Sequence, residues 1–339
     1  MGVISNGCAT LADLASRLKG DGLTVEQNIV EALSQNNEIL DDMMFREGNL
    51  LTGHKTTVRT GLPSLTWRKI YQGVPNSKST TEQVVDTCGM LEGYSEVDKA
   101  LADLGGNTKA FRYTEDMAFV ESFNQEVAKA IFYGDQSVDK EKITGLSPRF
   151  NSLNSSVKNS VNIIDAGGTS TDNQSIWLVG WGEDGAFGIY PKGSKVGLSM
   201  EDKGQQTCFD SAGNKFEGYR THFKWDLGFV VRDWRQIVRI ANISTTNLKT
   251  AGDASDTSAN ILKYMSLAIN KIRKPNSVRL AFYMTRTCRA MLLEKIMNKS
   301  NTFLTIGDYK NRQQVVQFMG IPVRICDQLL ETESQVTSA

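Results

Sequence analysis

The chain is poor in the residues and motifs on which catalysis and cofactor binding depend. Only two histidines occur among its 339 residues, His54 and His222, and neither has a motif neighbour that would make a Ser–His or Cys–His pair. It has no glycine-rich dinucleotide fingerprint, no phosphate-binding loop, no HExxH helix and no GxSxG turn. We therefore expect no catalytic residue, no cofactor and no metal site.

Cysteines and apolar runs are also scarce. The five cysteines, Cys8, Cys88, Cys208, Cys288 and Cys326, contain no CxxC pair, which argues against a zinc site or a disulfide framework. Their pattern is typical of a protein from a reducing cytoplasm. No stretch approaches the roughly 18 apolar residues of a membrane span, and the first residues lack the features of a signal peptide. We expect no membrane association.

The chain has no excess charge of either sign. Lys plus Arg number 38 and Asp plus Glu number 38, so the net charge is zero. This balance disfavours a dedicated nucleic-acid binder, whose affinity comes largely from neutralising phosphates. It also removes the self-repulsion that would oppose dense packing of many copies. The length predicts two or more modules with a substantial core.

The clearest pattern in the chain is that of a long helix at Phe111–Gly134. Thr114 is positioned to cap it, with Glu115 and Asp116 in the first turn, where the helix dipole favours negative charge. Gly134 is placed to end it in a left-handed conformation. One apolar face is predicted from four residues at helical spacing: Val120, Phe123, Val127 and Ile131. An ordinary amphipathic core helix fits this pattern as well as a specialised one.

The residues before this helix have little apolar surface of their own. A short helix is predicted at Leu11–Lys19 and a second from Thr24 to Gly48, and the second needs another element or subunit to lie against. Strands are predicted at Thr57–Thr60, Leu65–Gln72 and Thr80–Thr87, followed by a short helix at Glu92–Leu104. Basic residues decorate the hairpin: Lys55, Arg59, Arg68, Lys69 and Lys78. Because two-stranded ribbons are marginal alone, the hairpin is either the edge of an ordinary sheet or needs a partner surface.

The second half predicts a mixed domain. After a loop-rich stretch at Asp135–Gln174, a fully buried strand is predicted at Ile176–Trp181, paired with Phe187–Tyr190 across a turn. Residues 244–259 read as a polar loop and residues 331–339 as a loose tail. Further strands are predicted at Tyr219–Leu227, Gln236–Ile243, Arg279–Met284, Gln313–Met319 and Ile321–Asp327. Helices are predicted around Ile261–Ile272 and Thr285–Asn298, and the tryptophans favour core packing over sugar stacking.

Paired carboxylates are the remaining candidates for chemistry. A glycosidase needs two carboxylates that flank a cleft, and Glu183 with Asp184 is the pair that keeps a polysaccharide hydrolase open as an alternative. Asp41 and Asp42 are predicted on the solvated face of a helix. The basic segment from Lys271 to Arg279 favours a helix C-terminus, with contact to an acidic neighbour or packaged nucleic acid as the alternative.

Five segments taken in order carry a resemblance to a known family: Asp21–Asn49, Gly61–Thr80, Phe111–Gly134, Trp177–Gly193 and Gly320–Leu330. An arm and helix, a basic hairpin, a long helix and a mixed domain ending in a GIPV strand resemble the major capsid protein of tailed bacteriophages, most of all its podovirus-like variety. The resemblance implies an α+β fold of the Hong-Kong-ninety-seven-type, or Johnson, class.

The resemblance also implies a division of the chain. It gives residues 1–50 as an N-terminal arm and helix, 51–90 as an extended β-hairpin loop, 91–160 as a peripheral domain with a spine helix at 111–134, 161–330 as a mainly axial domain with returning peripheral strands, and 331–339 as a tail. Some family members cross-link through a Lys–Asn bond. Lys55, Lys69 and Lys78 lie in the corresponding loop, but no partner Asn can be assigned.

The implied function is structural. Pentamers and hexamers of the chain would form an icosahedral head around double-stranded DNA, in the virion, after assembly in the host bacterial cytoplasm. The implied partners are further copies, a separate scaffolding protein, a portal, a possible decoration protein and non-specifically contacted DNA. A phage tail tube protein is the other structural alternative. The long helix disfavours the tube, which should be mostly β.

Overall fold

The structure is a computed structural model that describes residues 35–104, 107–210, 212–250, 260–298, 304–308 and 314–338. The predicted helix at Leu11–Lys19 and the start of the second predicted helix lie outside these residues. In chain order the elements are α1 Ile39–Asp42, β1 Phe45–Glu47, β2 Gly53–Gly61, β3 Thr80–Asp98, α2 Lys99–Leu104, α3 Thr108–Tyr133, β4 Ile163–Asp165, β5 Asn173–Trp181, β6 Ala186–Tyr190, β7 Ser199–Phe209, β8 Lys215–Val231, β9 Ile237–Ser244, α4 Thr245–Thr250, α5 Ile261–Lys271, β10 Arg279–Met284, α6 Arg286–Asn298, β11 Leu304–Asp308, β12 Gln314–Phe318 and β13 Ile321–Ile325.

The strands of the described residues form one mixed, branched sheet in the order β11-β12-β13-β10-β5-β6-β8-β3-β2. β9 pairs with the other edge of β5 and carries β4, while β7 pairs with β8 and β1 with β6. β10–β13, β4–β9 and β1–β6 are parallel, and β2–β3, β3–β8, β7–β8 and β5–β9 are antiparallel. The α+β prediction is confirmed.

The centre of the sheet is buried on both faces, as the apolar run in β5 predicts. Every residue of β5 is buried. Because side chains alternate across a strand, Trp177 and Val179 enter a core shared with Phe132 of α3. Ile176 and Leu178 enter a second core, which is shared with Met265 of α5 and with α6. The long helix and the C-terminal helices thus cover opposite faces of one sheet.

The long helix is present, but it begins earlier than predicted. It spans 26 residues from Thr108 to Tyr133, and Asn107 is its N-cap, with Oδ1 accepting the Ala110 N–H at 3.2 Å. Thr114 lies inside the helix, where its hydroxyl donates to Ala110 O at 3.0 Å. The predicted cap at Thr114 was therefore wrong. A hydroxyl bonded back to the preceding turn satisfies no first-turn N–H.

Gly134 ends the helix for a different reason from the predicted one. Its φ of −56° and ψ of 132° are not left-handed. A Cβ at this position would lie 2.4 Å from Ile143 O and 2.5 Å from Ala130 O. Glycine is therefore required by the close approach of two backbone segments rather than by a positive φ.

The hairpin at residues 53–98 departs from the prediction in two places. β2 and β3 pair from Gly53↔Thr87 to Gly61↔Thr80, which confirms the outer two of the three predicted strands. The middle segment, Leu65–Gln72, lies in a loop without strand structure. β3 then continues to Asp98 in place of the predicted helix start, because its second half pairs with β8 from Cys88↔Gly228 to Asp98↔Gly218.

Three smaller predictions were also wrong, two of them because of strand pairing with distant residues. Phe45–Glu47 is a strand parallel to β6 rather than part of a helix that reaches Gly48. β6 meets β5 only at Trp181↔Ala186 and pairs antiparallel with β8, so the predicted β5–β6 hairpin does not form. A short helix, Thr245–Thr250, stands in the predicted polar loop.

Candidate functional site

The loop between β2 and β3 is the most unusual surface of the described chain. Residues 62–78 are all exposed, although many of their side chains are large and apolar. The exposed fractions of the largest are 81% for Leu62, 93% for Leu65, 100% for Trp67, 83% for Ile70 and 102% for Tyr71. Several large apolar side chains exposed on one loop are typical of an interaction site.

The loop nevertheless has defined internal contacts. The Ser77 hydroxyl donates to Ser64 O at 2.8 Å across the loop, and the Gln72 N–H donates to Lys69 O at 3.1 Å in its tip turn. At the loop base the hydroxyls of Thr60 and Thr80 are 3.3 Å apart. These contacts hold the two arms of the loop together, and the apolar side chains lie exposed on it.

The sheet that carries this hairpin is covered by α3 on its inner face. Phe119 stacks on Phe223 of β8 with ring centroids 5.6 Å apart, and Phe123 contacts the same ring at 6.2 Å. Gly93 of β3 lies directly beneath, where a Cβ would approach both α3 rings at 3.5–3.6 Å. This packing fixes the direction of the hairpin relative to the long helix.

The outer face of the same sheet carries charged and aromatic side chains. Glu92 lies between His222 and Lys224, each 3.3 Å away, and these contacts lower the pKa of its carboxyl, the Lys224 hydrogen bond most of all. The His222 ring stacks on Tyr94 with centroids 4.5 Å apart. Met90 on this face is 74% exposed. The predicted polar side of the alternating strand, β8, is confirmed.

The segment before β1 is anchored to the core by a buried carboxylate. Asp42 is buried, contrary to the predicted solvated position. Its Oδ2 accepts the Tyr283 hydroxyl at 2.8 Å and Arg324 Nε at 3.2 Å, and Trp181 Nε1 donates to the same Tyr283 oxygen at 2.7 Å. Burial and the Asp42 carboxylate hold the pKa of Tyr283 well above its usual value. Residues 35–48 are thereby fixed to the sheet.

The C-terminal segment is anchored in a similar way, so the predicted loose tail at 331–339 was wrong for the described residues 331–338. Glu333 and Arg239 form an ion pair of 2.9 Å and are only 5% and 3% exposed. Glu333 also accepts hydrogen bonds from the Ser175 hydroxyl and, at 2.5 Å, from Tyr133 at the end of α3. Val336 of the same segment is also buried, and its backbone N–H donates to Asn242 Oδ1 at 2.8 Å. Sequence reasoning missed the pair because its partners lie 94 residues apart and share no local pattern.

The carboxylates considered for catalysis do not flank a common cleft, since Asp184 lines a groove that Glu183 does not line. Glu183 and Asp184 lie on an exposed turn, where Glu183 pairs with Arg46 at 2.7 Å and Asp184 with Arg232 at 4.0 Å. His54 packs edge-on against Phe187. In the described parts of the chain, no three His, Cys, Asp or Glu residues are grouped so as to hold a metal ion.

Glu115 and Asp116 lie inside the helix, not in its first turn. The predicted interaction of these two residues with the helix dipole is therefore absent. Asp116 instead faces the sheet, where its Oδ2 accepts the Thr221 hydroxyl at 3.3 Å and burial raises its pKa.

The four described cysteines are free thiols. Burial raises the pKa of Cys88 to about 11 and those of Cys288 and Cys326 to about 12, so these thiols are protonated and unreactive at neutral pH. Across the described residues, none of the helices is both long and apolar enough to cross a membrane.

In the described part of the chain, large apolar side chains are exposed on one loop, and residues 35–48 and 331–338 are anchored to the core. Comparison with known proteins identifies the class of protein. The family described as "Major capsid protein GP7" matches residues 21–337. A chain of the bacteriophage Epsilon15 structure is 32% identical and superposes with a TM-score of 0.79, with complete coverage of both chains. The bacteriophage JBD30 capsid chain shares the fold at 11% identity and a TM-score of 0.50, covering 95% of this chain and 99% of its own. No curated protein matches the sequence.

The chain therefore belongs to the major capsid protein family of tailed bacteriophages, with the Hong-Kong-ninety-seven-type fold. It is a structural protein of the phage capsid, as the resemblance implied. The family match, over residues 21–337, covers the hairpin, the long helix and the C-terminal strands together. The tail tube and hydrolase alternatives find no support in these matches.

Proposed function

We propose that the chain builds the shell of a phage head as pentamers and hexamers, and that the loop at 62–78 extends over a neighbouring copy. The observation that carries the proposal is the full exposure of this apolar loop in a single subunit. Burial of water-exposed Leu, Trp, Ile and Tyr side chains by a partner lowers the free energy and so favours association. A ring of identical subunits supplies such a partner at each position.

The proposal includes a division of the chain into parts with separate roles in the shell. Residues 1–50 act as the N-terminal arm across a neighbour, and residues 51–90 as the extended loop. Residues 91–160 act as the peripheral domain and 161–330 as the mainly axial domain. A separate scaffolding protein, a portal, non-specific contact with packaged double-stranded DNA and, in some particles, a decoration protein complete the proposal. Assembly takes place in the host bacterial cytoplasm, and the chain performs no enzymatic reaction.

Negative-stain microscopy of the purified chain, expressed alone or with a scaffolding protein, tests the proposal directly. We expect large hollow particles from the natural sequence. The double substitution Trp67→Ser and Tyr71→Ser should leave the far-ultraviolet circular dichroism unchanged, because both side chains are exposed to solvent in the free subunit. The same variant should form no particles, because it lacks the apolar surface that a neighbouring copy would cover.

Val138→Ser provides the matched control, since Val138 is 84% exposed but lies outside the loop. This variant should form particles like the natural chain. Normal particles from the loop double variant would show that the exposed loop is not an assembly contact. A natural chain that stays monomeric under all conditions would refute the proposal as a whole.

A further inference from the structure

The outer edge of β2 is closed at its start by a side chain. Among the described strands, β2 pairs with β3 on its inner side, and at its start Gly53 forms an isolated bridge with Leu50. On the other side, the Lys55 N–H donates to Asn49 Oδ1 at 2.7 Å, and Asn49 Nδ2 donates to Lys55 O at 2.8 Å. The Asn49 amide thus occupies the place of one residue of a neighbouring strand. Both backbone groups of Lys55 therefore point away from β3.

The same edge is open two residues further on. In an antiparallel ladder, the N–H and C=O of one residue point to the same side, and the side alternates along the strand. The backbone groups of Thr57 and Arg59 therefore point outward with those of Lys55. Among the described residues, no backbone hydrogen bond outside the β2–β3 ladder engages either residue, and both are exposed. Such an edge is a template for a further strand.

A groove of about 360 Å³ runs along this open edge. The consecutive residues Thr56–Thr60 form one wall, and Lys158, Asp184, Lys274 and the 232–235 turn form the other. A cavity lined by five successive residues of a strand follows the strand rather than crossing it. Its dimensions therefore suit an extended chain laid beside β2.

The groove is lined by more basic than acidic side chains, so its net charge is positive. Two of its arginines are balanced by acids, since Arg235 pairs with Asp233 at 2.8 Å and Arg232 with Asp184 at 4.0 Å.

The other three cations of the groove are exposed: Arg59, Lys158 and Lys274. They form no ion pair within the described part of the chain, so the groove carries unbalanced positive charge beside free backbone donors and acceptors.

We propose that this groove binds an extended acidic segment of a partner protein, which adds to β2 as a further strand beside Thr57 and Arg59. Backbone hydrogen bonds would supply affinity, as in other cases of strand addition. Lys158 and Lys274 would select acidic side chains and speed the encounter. A nucleic acid can satisfy the cations but not the strand edge, so the combination favours a peptide.

Fluorescence anisotropy with the full-length chain tests the site. The probe is a dye-labelled nine-residue peptide of alternating Glu and Val. We expect binding that Thr57→Pro weakens at least tenfold, because proline removes an outward N–H that takes no part in the β2–β3 ladder. Thr57→Val keeps this N–H and should keep the affinity.

A change in the peptide repeats the test without altering the protein. The same peptide with N-methyl groups on all of its backbone amides cannot donate hydrogen bonds along either edge and should bind at least tenfold more weakly. Equal binding of the methylated and unmethylated peptides would overturn the proposal, even if Thr57→Pro fails to fold.

Charge selection is tested separately. The double substitution Lys158→Glu and Lys274→Glu should weaken binding of the acidic peptide at least tenfold, whereas Lys195→Glu, an exposed change outside the groove, should not. A peptide of alternating Lys and Val should bind poorly. If a DNA duplex displaces the acidic peptide and its own binding survives Thr57→Pro, the groove is a nucleic-acid site and the proposal is wrong.

Discussion

Two tryptophans show how differently two regions of this subunit use the same side chain. Trp177 of β5 has no exposed surface. It packs between Phe132 at 6.2 Å and Phe150 at 6.0 Å, with the Arg239 guanidinium 5.1 Å from its ring centroid. Trp67, in the loop, is fully exposed. The central sheet completes its core within one chain, while the loop leaves apolar surface for another molecule.

This difference separates folding from assembly. A core tryptophan stabilises the subunit through the apolar area that it removes from water and through its ring contacts. An exposed tryptophan contributes that free energy only when a partner arrives. The comparison therefore predicts that core residues determine whether the subunit folds, whereas loop residues determine whether it assembles.

Substitution of the two tryptophans should give the largest contrast. Trp177→Ala is expected to lower the free energy of unfolding by about 3–5 kcal/mol, because it leaves a cavity among buried rings. Trp67→Ala should change it by about 0.5 kcal/mol or less. Urea denaturation of the unassembled subunit, followed by circular dichroism, measures both values. A loss of stability in Trp67→Ala comparable to that in Trp177→Ala would place the loop in the folding core.

The buried ion pair at the C-terminal segment should give the next largest effect. Glu333→Ala leaves the Arg239 guanidinium buried without its carboxylate, which costs about 3 kcal/mol or more. Gln335→Ala is the matched control, since Gln335 has a side chain of the same length and is exposed in the same segment, so its truncation should be nearly neutral. Thermal unfolding of both variants measures the difference. Equal midpoints for the two variants would contradict the anchoring role of Glu333.

Asp116 should give the smallest effect, visible as a pH dependence. Burial raises its pKa in the folded subunit above the ordinary 3.8, so its ionised form is disfavoured by folding. Its contribution to stability is therefore fully present below about pH 3.8 and is lost as the pH rises through the folded pKa. Relative to the natural chain, Asp116→Asn should be more stable at pH 7 than at pH 4, by less than about 1 kcal/mol.

Urea titrations of the natural chain and Asp116→Asn at the two pH values measure this shift. Glu115→Gln serves as a comparison from the same turn of α3. A stability difference between Asp116→Asn and the natural chain that does not change with pH would show that Asp116 ionises normally in the folded state.

Periodicity and composition were enough for the elements that pack within one region. The apolar run at Ile176–Trp181 and the alternation at Tyr219–Leu227 predicted strands correctly. In each segment the order of apolar and polar residues matches the side chains that the strand buries and exposes. The helix around Ile261–Ile272 and the strand Arg279–Met284 were found for the same reason. The absence of catalytic motifs favoured a structural role, and the order of segments indicated the capsid family.

Predictions failed where a distant partner decides the structure. β3 continues as a strand to Asp98 because β8 lies beside it. Asp42 is buried because Tyr283 and Arg324 reach it from strands more than 200 residues away. Residues 331–338 pack against the core because the Glu333 carboxylate pairs with the buried Arg239 guanidinium. None of these partners is visible within the local window that periodicity uses.

The sequence by itself determined the family, the central strands, the position of the long helix and the shortage of apolar contacts around residues 62–78. These features depend on local patterns or on segment order. Tertiary structure alone decided the continuation of β3 to Asp98, the pairing of β6 with β8 and the anchoring of residues 35–48 and 331–338. Within the described residues, it also left the Thr57–Arg59 edge without a partner strand while Asn49 closed the edge at Lys55. Only folding brings a side chain to one position on a strand edge and leaves the next position free.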